Sequence, residues 1–382
     1  SRRPLNLCVV LDRSGSMGEE GKISSAKAAL GALIDCLDEG DVFSLVIYDD
    51  VVEVLRRAAP VTDRRRLHDL VEGIQPRGWT NLGGGMQEGF CQAERYASER
   101  FVNRVVLLSD GLANRGITDP VELGRIARRE RDRSISLTTM GVGLDYNENQ
   151  MCALAGDGGG NYYFIERSRD LASMFRAEFR DLGAIVAQNA VIVLRPAAGV
   201  RIADVVGAPF TVEDGLCRIR VGDVAAGQRR GFTAVLDIPP GCGSMDVVRG
   251  EVRSEQCDGR RMVAPLAAVR VRFSDDAAAV ERARDMEAQA KADIALSTRG
   301  VERAMQALDE GKNEAAEKEL AAAHAALAAS PAASGSTVGA IRAQEVRLES
   351  YRRQLKDAGA PEGKAKKAIQ YENYRQQRDA GK

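Results

Sequence analysis

Two short apolar runs constrain this chain most. Leu5-Asn6-Leu7-Cys8-Val9-Val10-Leu11 leads into Asp12, and Arg104-Val105-Val106-Leu107-Leu108-Ser109 leads into Asp110. Runs of this length that do not alternate with polar residues read as strands buried on both faces. Such strands belong to parallel sheets covered by helices. Each run is followed by glycine and then by a helical pattern. The first helix is expected at about residues 23–37 and the one after Asp110 from Pro120 to about residue 131, with proline at the first helical turn.

The segments around these runs fit the same plan. Residues 41–48 read as a second buried strand, and 51–55 follow so closely that the pair must be an antiparallel hairpin rather than a crossover. Helices are expected over 64–71, 81–99, 148–154 and 171–186, and strands over 134–142 and 162–165. Gly156–Gly160 reads as a turn before the last strand, because it lacks the lysine and the strand–helix setting of a phosphate loop. The alternation predicts a doubly wound, Rossmann-like α/β unit over residues 1–186, with a mostly parallel sheet and right-handed crossovers. Strands one and four are neighbours in that order, so Asp12 and Asp110 are expected to face one another.

The pattern then changes twice. Residues 187–275 carry short β-branched or alternating runs (190–194, 216–221, 231–237, 268–273) punctuated by Gly, Pro and Asp, which predicts an all-β, sandwich-like domain. Residues 276–382 are rich in Ala, Glu, Lys and Arg. Apolar side chains recur every three to four positions from Val280 to Leu308, predicting a helix of about 50 Å bent at Gly300. A break at Gly311-Lys312, a helix over 314–329 and two more over 338–358 and 364–378, split by 359–363, complete a helical hairpin or bundle.

Composition narrows the function classes. With 54 basic and 55 acidic residues the chain has no global field to draw it to nucleic acid or anionic membrane. No apolar run approaches the ~20 residues of a membrane span. The seven cysteines are scattered, with no CxxC and no Cys/His cluster, which argues for a reducing compartment and against zinc; a Cys242–Cys257 pair across a hairpin is the one alternative. A cytoplasmic location is expected, or a periplasmic or secreted one if a signal peptide was removed. Ser1 is not an initiating residue, which is consistent with such a removal.

The chemistry concentrates in Asp12-Arg13-Ser14-Gly15-Ser16. One carboxylate and two hydroxyls sit at alternate positions where a strand gives way to a helix, the rim at which open α/β sheets bind ligands. Hard oxygen donors suit Mg²⁺, Mn²⁺ or Ca²⁺. Thr80, just ahead of a helix, and Asp110-Gly111 supply further oxygen ligands from two other loops. The bland alternative is that Ser16 caps a helix and Asp110 a turn, but capping does not call for all five residues together. Gly83-Gly84-Gly85 suggests close backbone approach to the site. The basic runs at 64–66 and 125–133 read as solvated helix faces, His68 and His324 as isolated, and Trp79 as either packing or an exposed hot spot.

Asp12-x-Ser14-x-Ser16, Thr80 and Asp110-Gly111 together resemble the metal-ion-dependent adhesion site of von Willebrand factor A (VWA) domains, over about residues 4–186. Met17 and Asp110-Gly-Leu-Ala-Asn114 are similar to the bacterial and inter-α-trypsin-inhibitor-heavy-chain-like branch. Trp79 stands where many relatives carry glycine. The resemblance implies that Ser14, Ser16 and Thr80 contact a divalent cation through hydroxyls. Asp12 and Asp110 then act directly or through water. It implies a protein-binding module rather than an enzyme, whose cation takes an Asp or Glu from a partner protein. Two alternatives stay open. The site is filled by an acid from the chain's own tail or a second copy, or the chain is a Mg²⁺-dependent phosphohydrolase. The latter class places a second acid two residues after its aspartate, where this chain has Ser14.

Overall fold

The computed structural model describes residues 2–256, 259–357 and 364–378, and the chain divides into two compact units. The first comprises Ser1–Ala190 with Val221–Gly227 and Ser254–Met262; the second comprises Val191–Arg220, Gln228–Arg253 and Val263–Lys382.

The first unit is built on a six-stranded sheet. Its strands are β1 (Leu5–Asp12), β2 (Val42–Tyr48), β3 (Val52–Pro60), β4 (Val102–Ser109), β5 (Ser136–Val142) and β6 (Gly159–Ile165). They lie in the order β3-β2-β1-β4-β5-β6. All neighbours are parallel except β2 and β3, which form the expected antiparallel hairpin. Every residue of β1, β2 and β4 is buried, as helices on both faces require. The helices fall into two packed groups. One holds α1 (Lys22–Cys36), α2 (Arg64–Glu72) and α6 (Leu171–Gly183); the other holds α3 (Leu82–Glu94), α4 (Pro120–Asp132) and α5 (Glu148–Gly158).

Several expectations are corrected by local physics. Helix α3 stops at Glu94 rather than near residue 99, where the backbone turns back through Ala97 N–H to the Glu94 carbonyl. The Gly156–Gly160 segment is not a free turn. Helix α5 runs through Gly158, and Gly159, at φ +70°, caps it as β6 begins. Of the glycines that open α3, Gly83 meets the Ile117 carbonyl in the loop after Asp110, whereas Gly85 and, one turn on, Gly89 face the sheet. A Cβ on Gly85 would lie 2.6 Å from the Tyr48 ring, and one on Gly89 would lie 2.4 Å from Val10. These glycines let α3 settle onto β1 and β2.

At the N-terminal end of β4, opposite Asp110, a buried polar network ties the sheet to α6. Arg104 donates to Asp223 at 2.8 Å and to Thr138 Oγ1 at 3.0 Å, with Glu178 3.6 Å away. Glu178 also accepts from Asn161 at 2.6 Å and Tyr163 at 3.0 Å. Each of these charges has a partner, without which burial would be prohibitive.

The remaining strands are β7 (Ile185–Pro196), β8 (Arg201–Val206), β9 (Phe210–Glu213), β10 (Leu216–Ala225), β11 (Thr233–Asp237), β12 (Ser244–Gln256) and β13 (Arg261–Arg272). They form a five-stranded sheet ordered β13-β12-β7-β10-β9 and a separate pair, β11-β8. In the second unit, Ile202 and Val205 from the pair share one cluster with Cys217 and Ile219 from the larger sheet. The α-helices there are α7 (Ala277–Arg282), α8 (Met286–Asp309), α9 (Asn313–Ala328), α10 (Val338–Asp357) and α11 (Lys364–Arg378). Helices α8 to α11 pack around Val301, Met305, Leu320, Leu327, Ile341 and Leu348. The continuous helix expected from Val280 to Leu308 is instead broken. The Asp285 side chain accepts from the Glu287 and Ala288 amides and starts α8 afresh. Gly300 is not a bend but a close approach, since a Cβ there would fall 2.8 Å from that of Ala323 on α9. Cys242 is a free, exposed thiol. Cys257 and the 359–363 break lie outside the described residues. No helix among the described residues is long and apolar enough to cross a membrane.

Candidate metal centre

The parallel pairing of β1 with β4 sets Leu11 beside Leu108. The two chains leave the sheet side by side, and Asp12 and Asp110 emerge at the same rim. The first loop folds back on itself. Ser14 N–H donates to Asp12 Oδ1 at 2.8 Å, and Ser109 Oγ donates to Asp12 Oδ2 at 2.7 Å. Ser14 Oγ and Ser16 Oγ are 3.2 Å apart, and Ser16 Oγ donates to Asp110 Oδ1 at 2.8 Å. A hydrogen-bonded chain thus runs from one aspartate to the other through two serines, its first link the Ser14 amide.

Thr80 arrives from the loop ahead of α3. That loop is laced to the first by Gly15 N–H to the Gly78 carbonyl at 3.1 Å and Arg77 N–H to the Arg13 carbonyl at 2.7 Å. Asn114 fixes Thr80 from the other side, accepting from its N–H at 2.9 Å. Gly111 lies against both hydroxyls: a Cβ there would sit 3.5 Å from Thr80 Oγ1 and 3.8 Å from Ser16 Oγ. All five residues singled out in the sequence therefore converge. Asp12, Ser14, Thr80 and Asp110 are buried and Ser16 is half-buried.

The electrostatics are those of a cation seat. Burial pushes the Asp12 carboxyl up to about 6, against the hydrogen bonds from Ser109 and Ser14, and the charge of Asp110 adds to the rise. Lys22, the first residue of α1, donates to Asp110 Oδ2 at 2.8 Å and is itself buried. Burial favours its neutral form, but the hydrogen bond and charge of Asp110 outweigh that and raise its pKa. The pocket holds two carboxylates with one lysine. Its remaining donors are hydroxyls, so the set fits a hard divalent cation. Among the described residues no group of three or more His, Cys, Asp or Glu side chains is placed to hold a metal. His68 instead pairs with Asp35 on the surface.

Sequence reasoning missed three supports. Lys22 is one. The second is Asp49, just past the end of β2, which is 2.8 Å from Arg13 Nε and 2.7 Å from Arg77 Nε and joins the two loops. The third is Asp50, which accepts from Trp79 N–H at 3.2 Å. The available signal was Asp49-Asp50 directly after a buried strand, the same position that Asp12 and Asp110 occupy. Trp79 is exposed, with the Arg115 guanidinium 5.6 Å from its ring centroid. Leu112, on the third loop, is exposed as well.

Residues 6–177 match the family model of the von Willebrand factor type A domain, and with this sheet order and rim they form one. The chain is 28% identical over 185 residues to the uncharacterized protein YfbK of Escherichia coli, a match spanning 48% of this chain and 32% of that one. It is 29% identical over 240 residues to the uncharacterized protein sll0103 of Synechocystis, spanning 60% of this chain and 56% of the relative. Human inter-alpha-trypsin inhibitor heavy chain H3 matches at 27% over 179 residues, 44% of this chain and 20% of that protein. Each curated relative is thus matched over little more than half its length at most. A solved von Willebrand factor type A structure from Catenulispora acidiphila superposes with a TM-score of 0.76 at 18% identity, covering 98% of this chain and 90% of that one. At that identity the likeness concerns the fold.

Proposed function

We propose that Asp12, Ser14, Ser16, Thr80 and Asp110 hold a divalent cation, Mg²⁺ or Mn²⁺ first, and that the protein uses it to bind an acidic side chain of a partner protein. The observation that carries this is the joining of two carboxylates and three hydroxyls at one rim. A cation held by few direct carboxylates keeps residual positive charge and supplies an attractive centre for an incoming carboxylate. The chain's own residues do the rest. Ser109 and the Ser14 amide orient Asp12, Lys22 and Ser16 orient Asp110, and Asn114 sets the Thr80 loop.

The reading is one of recognition, not catalysis. Both Asp12 oxygens already accept hydrogen bonds, which suits a positioned ligand better than a free nucleophile. No second acid stands at position 14. A truncation meant to isolate the binding domain has to keep Val221–Gly227 and Ser254–Met262 with Ser1–Ala190, because a cut at residue 186 would fall inside β7.

Calorimetric titration of Mn²⁺ into the wild type and Asp12→Ala tests the proposal. The wild type is expected to bind and the variant to lose binding. Equal affinity in both overturns the metal centre.

A further inference from the structure

Lys22 is not among the hydroxyl and carboxylate residues assigned to the cation, yet it is built into their pocket. The residue is 3% exposed, and its Nζ lies 2.8 Å from Asp110 Oδ2. The opposite oxygen of the same carboxylate, Oδ1, is the one that accepts from Ser16. Lys22 therefore grips Asp110 from the side turned away from the serine hydroxyls. Room for it is made by Gly143 in the loop after β5: a Cβ there would lie 3.3 Å from Lys22 Cε and 3.5 Å from Nζ. Asp145 and Glu20 add attraction for the ammonium.

A buried ammonium has to act on whatever charge shares the pocket. We propose that Lys22 is the metal centre's internal counter-cation. It balances the Asp110 carboxylate when no metal is bound, and it lowers the affinity for a divalent cation by sitting as a fixed positive charge beside it. This rests on the metal-centre reading. The effect is Coulombic at short range in a weakly screened site, where one unit charge changes affinity strongly. The ammonium need not leave for a cation to enter, because it occupies the far oxygen. It is a positioning residue and a tuner, not a ligand.

The test uses the full chain as wild type, Lys22→Met, Lys22→Arg, Asp12→Ala and the double variant Lys22→Met/Asp110→Asn. Binding is read by titration with Mn²⁺ at mildly alkaline pH, and metal-free stability by thermal unfolding in chelator. Lys22→Met is expected to bind Mn²⁺ about tenfold tighter or more than the wild type, with Lys22→Arg close to the wild type. In chelator Lys22→Met is expected to unfold at lower temperature, and adding Asp110→Asn to restore most of the loss, because the orphaned buried charge is then gone. A purely structural lysine would lower stability without tightening metal binding. Unchanged or weaker Mn²⁺ affinity in Lys22→Met overturns the tuning role. Lack of rescue by the double variant overturns the counter-cation role. If the wild type and Asp12→Ala bind alike, the metal-centre reading fails instead, and that contrast involves no change at Lys22.

Discussion

Asp12→Asn separates the electrostatic burden of the centre from its use. In the metal-free fold, burial pushes Asp12 up to about 6 from the ordinary 3.8. The folded chain therefore binds more protons than the unfolded one between these two values. The stability contributed by this group is greatest below the unfolded value and falls as pH rises through the window. Above the window the ionised carboxylate costs about 3 kcal/mol, at roughly 1.4 kcal/mol per unit over a gap of about two units. Asparagine carries no charge. Its amide oxygen keeps one of the two hydrogen bonds that Asp12 accepts from Ser14 N–H and Ser109 Oγ. Weakening the other gives back about 1 kcal/mol.

The net expectation is a variant more stable than the wild type by about 2 kcal/mol at about pH 8, with the difference crossing zero between about pH 4 and 5 and reversing to about 1 kcal/mol below that. In a domain of this size that is about 4–8 °C in the melting temperature of the first unit. Thermal unfolding by circular dichroism in chelator, at three pH values across the window, reads it. Added Mn²⁺ is expected to raise the wild-type transition and leave the variant's unmoved. A variant less stable than the wild type at about pH 8, or an offset independent of pH, refutes the reasoning.

Thr80→Val keeps the shape and removes one hydroxyl, so Mn²⁺ affinity by titration should fall about tenfold or more while metal-free melting stays unchanged. Trp79→Ala should leave Mn²⁺ affinity untouched and cost about 0.5–1 kcal/mol, the worth of its exposed contact with Arg115; a much larger loss in urea unfolding would make the ring a packing residue. Arg104→Met strands Glu178 and Asp223 in the interior and should cost about 3–5 kcal/mol in the same assay.

What the sequence made legible follows from what repeats locally. Strands β1 and β4 stood out because burial on both faces writes one unbroken apolar run. The hairpin was readable from the two residues between its strands, although β3 runs on to Pro60, because Arg56 and Arg57 mask an edge strand's pattern. The five rim residues were legible as a set because each sits at a strand end or helix start. Their supports were not. Lys22 looks like any polar residue opening a helix until the Gly143 loop closes over it. Asp285 is one acid among many in an Ala- and Glu-rich stretch, and only its backbone partners reveal it as the start of a new helix. Gly158 reads as a loop residue, yet it belongs to α5 and lets that helix approach Leu137, which a Cβ there would strike at 2.5 Å.

The side-by-side exit of β1 and β4 has a consequence for how the protein meets its surroundings. Ser16 and Asp110 touch although 94 positions separate them in the chain, so no unfolded or partly folded segment can offer the same oxygens. A cation that recognises this rim recognises the closed sheet alone. By mass action it then stabilises the fold by about 2.7 kcal/mol at a hundredfold excess over its dissociation constant. On the metal-centre proposal, the free divalent cation level around the protein would then set its lifetime against proteases, read as the rate of proteolysis with Mn²⁺ and with chelator.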